Sequence, residues 1–154
     1  MTDARSDLPV LGWRERVALP QLGIVRLKAK LDTGARSSAL HVESLETFRR
    51  GGADWLRFDV ALTRHHPRRV ACEAPALDRR RVTDSGGHVS RRWFIETEVV
   101  LGSLALVAEV SLSDRRGMLF PMLLGRTALA GRVLVDPARS YTLSHPPCAS
   151  EPHR

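Results

Sequence analysis

From Glu15 to Leu31 apolar and polar residues alternate: Val17 and Leu19 first, then Val25, Leu27, Ala29 and Leu31 separated by Arg26, Lys28 and Lys30. A period of two predicts half-buried strands, and Pro20-Gln21-Leu22-Gly23 predicts the turn between them. Trp55 to Thr63 alternates in the same way and is predicted as a strand. Val42 to Arg50 reads as a short helix stopped by Gly51-Gly52. His65 to Arg81, with two prolines and many charges, is expected to be loop with a short strand around Val70. Asp84-Ser85-Gly86-Gly87 is strong turn chemistry between two extended flanks, which predicts a hairpin. Trp93 to Leu101 and Leu104 to Leu112 form a second strand pair around Gly102-Ser103. In the apolar run Met118 to Leu124, Pro121 argues against a helix interior. Arg126 to Ala130 is a short helix closed by Gly131, and Val133 to Val135 and Ser140 to Leu143 are final short strands. The sum is a small, mainly β domain with one or two short helices and a closed or nearly closed sheet. Residues 1–12 are expected to be a flexible N-terminal segment, 13–144 the folded domain and 145–154 a disordered tail.

The 154 residues, 43% of them hydrophobic, suffice for one domain. No apolar run reaches the 18 or so residues of a membrane span, and Met1 to Asp7 has no signal-peptide core, so a cytoplasmic protein away from membranes is expected. Cys72 and Cys148 lie in no CxxC or Cys/His cluster, which argues against a disulfide scaffold or zinc knuckle. The net charge of +7 comes almost wholly from arginine, since only Lys28 and Lys30 of the 24 basic residues are lysines. The arginines are dispersed in pairs such as Arg91-Arg92 and the triplet Arg79-Arg80-Arg81. With aromatics at 5% and no base-stacking motif, charge alone argues little for nucleic acid.

The sharpest chemical feature is Leu31-Asp32-Thr33-Gly34-Ala35, at the end of an alternating strand. A carboxylate on a tight strand-to-loop turn, followed by a small hydroxyl residue and glycine, is how aspartic peptidases present their catalytic group. Gly34 would let backbone approach backbone, and Thr33 could pin the turn by hydrogen bonding. Much later, Leu123-Leu124-Gly125-Arg126 supplies the two apolar residues and glycine that pack beside such a loop.

On these motifs the chain resembles the retropepsin-like aspartic peptidases. From Glu15 to Leu143 it is similar to a bacterial family of them often labelled "ATP-dependent zinc protease", through AKLDTGARSSALH, WLRF, VTDSGGHVSRR, FPMLLGRTAL and VDPARSY. The resemblance implies a small closed β-barrel of the retropepsin type. It implies Asp32 as the catalytic residue, Thr33, Gly34 and Ala35 as the supporting turn, and Leu124, Gly125 and Arg126 as the psi-loop motif. Ser85, Gly86 and Gly87 are the candidate flap. In retroviral members the arginine matching Arg126 pairs with an acid just after the DTGA, but Arg36 stands there. Either another acid such as Glu43 or Asp136 substitutes, or Arg126 has a different job.

Both words of the family label disagree with the residues. There is no HExxH pair for zinc and no phosphate-cradling GxxxxGK[ST] for ATP, so no metal and no cofactor is expected. A two-carboxylate mechanism needs one group to activate water and the other to polarise the carbonyl, and this chain carries one DTG. The second copy of Asp32 would come from a C2 homodimer, with Thr33 of each chain hydrogen-bonding across the axis. The expected function is therefore a homodimeric aspartic endopeptidase, a hydrolase acting on protein or peptide substrates. The arginines near the cleft, and the family's association with glutamate-ligating enzymes, suggest acidic or glutamate-modified ones. The alternatives are a catalytically silent retropepsin-like binding or assembly module and, as the label says, a zinc-dependent protease.

Overall fold

A computed structural model describes residues 7–63, 68–84, 86–114 and 119–143. The alternating segments are strands: β1 (Val10–Gly12), β2 (Arg14–Leu19), β3 (Ile24–Leu31), β4 (Ser38–His41), β5 (Glu43–Arg50) and β6 (Ala53–Ala61). They are followed by β7 (Arg69–Pro75), β8 (Asp78–Thr83), β9 (Val89–Leu101), β10 (Leu104–Ser113), β11 (Met122–Leu124) and β12 (Leu134–Asp136). Between β11 and β12 lies the four-residue helix α1 (Arg126–Leu129), and Pro20–Leu22 is a 3-10 turn joining β2 to β3.

Strands β10, β4, β11, β3, β2 and β9 pair in that order, and β9 pairs back onto β10, so six strands close into a ring. Closure removes the exposed edges that an open sheet would present. Strand β8 hangs on β9 as the outer edge, β5-β6-β7 form a separate three-stranded sheet, and β1 pairs in parallel with β12. The core-facing positions of the ring, among them Val17, Leu27, Ala29, Leu40, Val99, Val110, Met122 and Leu124, share one apolar cluster with Leu56, Phe58 and Val60 of β6. Cys72, on β7, is buried in the same cluster with its thiol against the Leu22 carbonyl, 3.4 Å away. Burial, with the charge of Asp59, pushes that thiol up to about 11, which leaves it protonated and unreactive at neutral pH. No helix among the described residues is long and apolar enough to cross a membrane.

Four elements differ from the sequence expectations. The helix expected at 42–50 is strand β5, which pairs with β6 from Glu43↔Asp59 to Arg50↔Ala53. Gly51 and Gly52, both at positive φ (59° and 81°), are the two-residue loop of that hairpin and not a helix stop. Cross-strand packing overrides the helix propensity of Glu46 and Leu45. The expected loop at 65–81 holds two full strands, β7 and β8; residues 64–67 lie outside the described ones. Ser140 to Leu143 is not a strand but a strap held by side-chain hydrogen bonds. Finally, the segment expected to be flexible ends in strand β1, where Val10 pairs with Leu134.

Candidate functional site

Parallel strands β3 and β11 lie side by side, with Leu31 opposite Leu124, and deliver two turns to one place. The Asp32 N–H donates to the Leu124 carbonyl (2.8 Å), and the Asp32 side chain is half-buried. Its Oδ1 accepts the Gly34 N–H at 2.9 Å, and the Ala35 N–H closes the turn onto the Asp32 carbonyl at 3.2 Å. Thr33 and Gly34 are exposed at the tip. Among the described residues the part of Thr33 that is engaged is its carbonyl, by Arg126.

The glycine that permits close backbone approach is Gly125, not Gly34. A Cβ at Gly34 would meet the Asp32 Oδ1 at 3.2 Å, whereas one at Gly125 would come within 2.5 Å of the Ser37 carbonyl oxygen and 2.9 Å of that of Ala35. The Gly125 N–H donates to the buried Ser38 Oγ (3.0 Å), and the Arg126 and Thr127 N–H groups donate to the carbonyls of Ala35 and Arg36. Arg126 has neither acid as partner: Glu43 pairs with Arg69 (2.8 Å) and Asp136 with Arg139 (3.3 Å). Its guanidinium instead donates to the Thr33 and Gly34 carbonyls at 3.1 and 3.2 Å, pinning the tip of the Asp32 turn.

Above this turn opens a cleft of about 960 Å³. Asp32, Ala39, Phe94, Ser111 and Leu123 line it together with Asp84 and the Arg80 to Thr83 stretch of strand β8. Five arginines line it, Arg36, Arg80, Arg81, Arg92 and Arg126, against two carboxylates, Asp32 and Asp84. Arg80 is committed to structure, bridging Asp78 (2.7 Å) and Glu109 (2.8 Å) and stacking on Phe94, and these acids raise its pKa further. Among the described residues no hydrogen bond or ion pair occupies the Arg36 or Arg81 guanidinium. At the hairpin expected to be the flap, Asp84 Oδ1 accepts the N–H groups of His88 and Gly86, each at 2.9 Å. These two bonds, the His88 one foremost, hold the Asp84 carboxyl below its ordinary value. Ser85 lies outside the described residues, and of the flap residues only Gly86 and Gly87 can be placed. Among the described residues no three His, Cys, Asp or Glu side chains come together as a metal site; His65 and His66 are outside them.

The sequence did not single out Glu15, Ser38 or Ser111. Glu15 had a legible signal, since it shares the core-facing side of β2 with Val17 and Leu19 and is completely buried. Ser38 and Ser111 are buried hydroxyls, with Ser111 Oγ donating to the Ser38 carbonyl at 3.2 Å beneath the cleft.

The fold is shared with a Legionella pneumophila protein of unknown function solved by structural genomics. That chain is 29% identical, with a TM-score of 0.75 over 88% of this chain and 98% of its own. Two relatives, from Shewanella halifaxensis and Desulfotalea psychrophila, are 35% and 38% identical over 135 residues, 87% of this chain, and each is named "Probable alpha-L-glutamate ligase". The chain spans about 30% of the length of these curated relatives. Their names overturn the expectation of an aspartic endopeptidase: they describe a ligase, which joins, and not a hydrolase or protease, which cleaves. The endopeptidase wording in the matching family description points to cleavage only weakly beside these names. Residues 10–146 match the family described as "RimB-like: Retropepsin-like aspartic endopeptidase RimB", and the chain belongs to that RimB-like, retropepsin-like family.

Proposed function

We propose that this chain is an acidic-peptide-binding module serving α-L-glutamate ligase chemistry, holding a glutamate-bearing peptide in the arginine-lined cleft above Asp32. The observation that carries the reading is the cleft's lining, five arginines of which Arg36 and Arg81 have no acidic partner among the described residues. A guanidinium presents two parallel N–H donors to a carboxylate, so glutamate side chains fit these groups better than neutral ones do. Asp32 supplies the opposite chemistry, a fixed carboxylate able to accept an N–H from the ligand's main chain or amino group. Strand β8 is the sheet's outer edge and lines the cleft from Arg80 to Thr83, so an extended peptide can pair its main chain there. We place this binding in the cytoplasm, a setting in which a buried free thiol such as Cys72 is ordinary.

Fluorescence anisotropy with labelled triglutamate and triglutamine tests the proposal. Triglutamate should bind and triglutamine should not, and Arg36→Gln or Arg81→Gln should each weaken triglutamate binding about tenfold, the size of one charge-assisted contact. Equal affinity for the two peptides would refute it.

A further inference from the structure

Outside the cleft, the outer face of the β2–β3 hairpin carries a second concentration of positive charge. Arg14 stands opposite Lys30 and Arg16 opposite Lys28, so two cross-strand pairs set like charges side by side. Such pairs are unfavourable in a sheet. Among the described residues no carboxylate pairs with any of the four. The cations collect instead around one ring: the Arg14 and Arg16 guanidinium carbons lie 4.8 and 4.1 Å from the Tyr141 centroid and the Lys28 ammonium 5.9 Å from it. Arg14 also stacks on Trp13 at 4.7 Å, and its buried Nε has no hydrogen-bond partner among the described residues. Tyr141 is held in place at positive φ (54°) by its N–H bond to the Arg14 carbonyl and by the anchoring of Thr142 and Leu143 to Glu15.

The strand register joins this face to the cleft. Ser111 is opposite Ala39, Ala39 opposite Leu123, Leu123 opposite Lys30, and Lys30 opposite Arg14. Residues in register on neighbouring strands point to the same side of a sheet. One row therefore leads from three cleft-lining residues straight onto the basic face, at about 4.8 Å per strand.

We propose that Arg14, Arg16, Lys28 and Lys30 form an extension of the arginine cleft that binds the further carboxylates of a longer acidic peptide, an oligoglutamate chain, once its first residues occupy the cleft. The proposal rests on the acidic-peptide reading of the cleft. An extended chain advances roughly 3.3 Å per residue, so three glutamates are held by the cleft alone while eight reach Tyr141 and its cations. Carboxylates placed between Arg16 and Lys28 would turn the cross-strand repulsion into attraction.

The test compares labelled triglutamate and octaglutamate on wild type and on the Arg16→Gln/Lys28→Gln double variant, with thermal melting to confirm that both are folded. Octaglutamate should bind wild type more tightly than triglutamate does and lose about tenfold in the variant, with a shallower salt dependence, while triglutamate binding stays unchanged. Loss of neither would overturn the extension and leave the cleft reading intact. Failure of triglutamate to bind wild type would instead overturn the cleft reading and the extension with it. A single-stranded oligonucleotide bound more tightly than octaglutamate through Arg16 and Lys28 would also overturn it.

Discussion

Glu15→Ala is expected to be the most destabilising single change in the domain. The Glu15 side chain is fully buried, and its Oε2 accepts the Gly12 N–H (2.7 Å), the Thr142 N–H (3.0 Å) and the Thr142 hydroxyl (2.5 Å), while Oε1 accepts the Leu143 N–H (3.0 Å). One carboxylate thus satisfies three backbone donors from opposite ends of the chain. Removing it strands those N–H groups, each at about 1–3 kcal/mol unless water reaches them. A total of about 3–5 kcal/mol follows, a large share of the roughly 5–15 kcal/mol that holds a domain folded. The melting temperature should drop by roughly 10 °C or more. Lifting of the 140–143 strap should also release Tyr141 from the Arg14, Arg16 and Lys28 cluster. Glu46→Ala is the control: Glu46 is exposed, its nearest cation is Arg57 at 3.9 Å, and its loss should shift stability by about 0.5 kcal/mol or less. Similar melting temperatures for the two variants would show that the Glu15 hydrogen bonds do not hold the strap.

The second large effect is expected at Gly125. Its φ of −95° is ordinary for any residue, so the cost of Gly125→Ala is not backbone strain. It is a collision with backbone: the new Cβ would lie 2.5 Å from the Ser37 carbonyl oxygen and 2.6 Å from its carbon. Neither can rotate away, so α1 must shift from the Asp32 turn, breaking the contacts of Arg126 with the Thr33 and Gly34 carbonyls. Overpacking of this kind costs about 3 kcal/mol, or roughly 6–12 °C in a domain of this size. Because the shift loosens the Asp32 turn, triglutamate binding should fall as well. Gly34→Ala is the milder comparison, since its Cβ meets only the Asp32 side chain at 3.2 Å. Calorimetry on the two variants separates them, and an unperturbed Gly125→Ala protein would mean that β11 and the Asp32 turn are not so closely packed.

The alternation of apolar and polar residues located β2, β3, β6, β9 and β10 because each buries one face against a common core, and burial with period two is written directly in the residues. Strand β5 was misread because most of its side chains are exposed on both faces, which removes the period and leaves only helix propensity to judge by. The Asp32 turn and the Leu124-Gly125-Arg126 segment were legible as motifs. What Arg126 binds was not, because its acceptors are backbone carbonyls, which every residue carries and no sequence distinguishes. The same holds for the basic face: Arg14, Arg16, Lys28 and Lys30 are plain in the sequence as alternating charges, but their junction with the cleft depends on the β3–β11–β4 register. The DTG motif did not carry the chemistry expected of it, since a fold and a turn can be retained while the relatives' named activity is that of a ligase.

The central claim, that the cleft binds acidic peptide and that Asp32 serves binding, is tested most directly by following the fate of octaglutamate with wild type and Asp32→Asn by mass spectrometry alongside a binding titration. Intact octaglutamate is expected with both proteins, with altered affinity in Asp32→Asn, because the substitution removes a negative charge from an arginine-lined cleft. Octaglutamate cleaved by wild type and left whole by Asp32→Asn would contradict it.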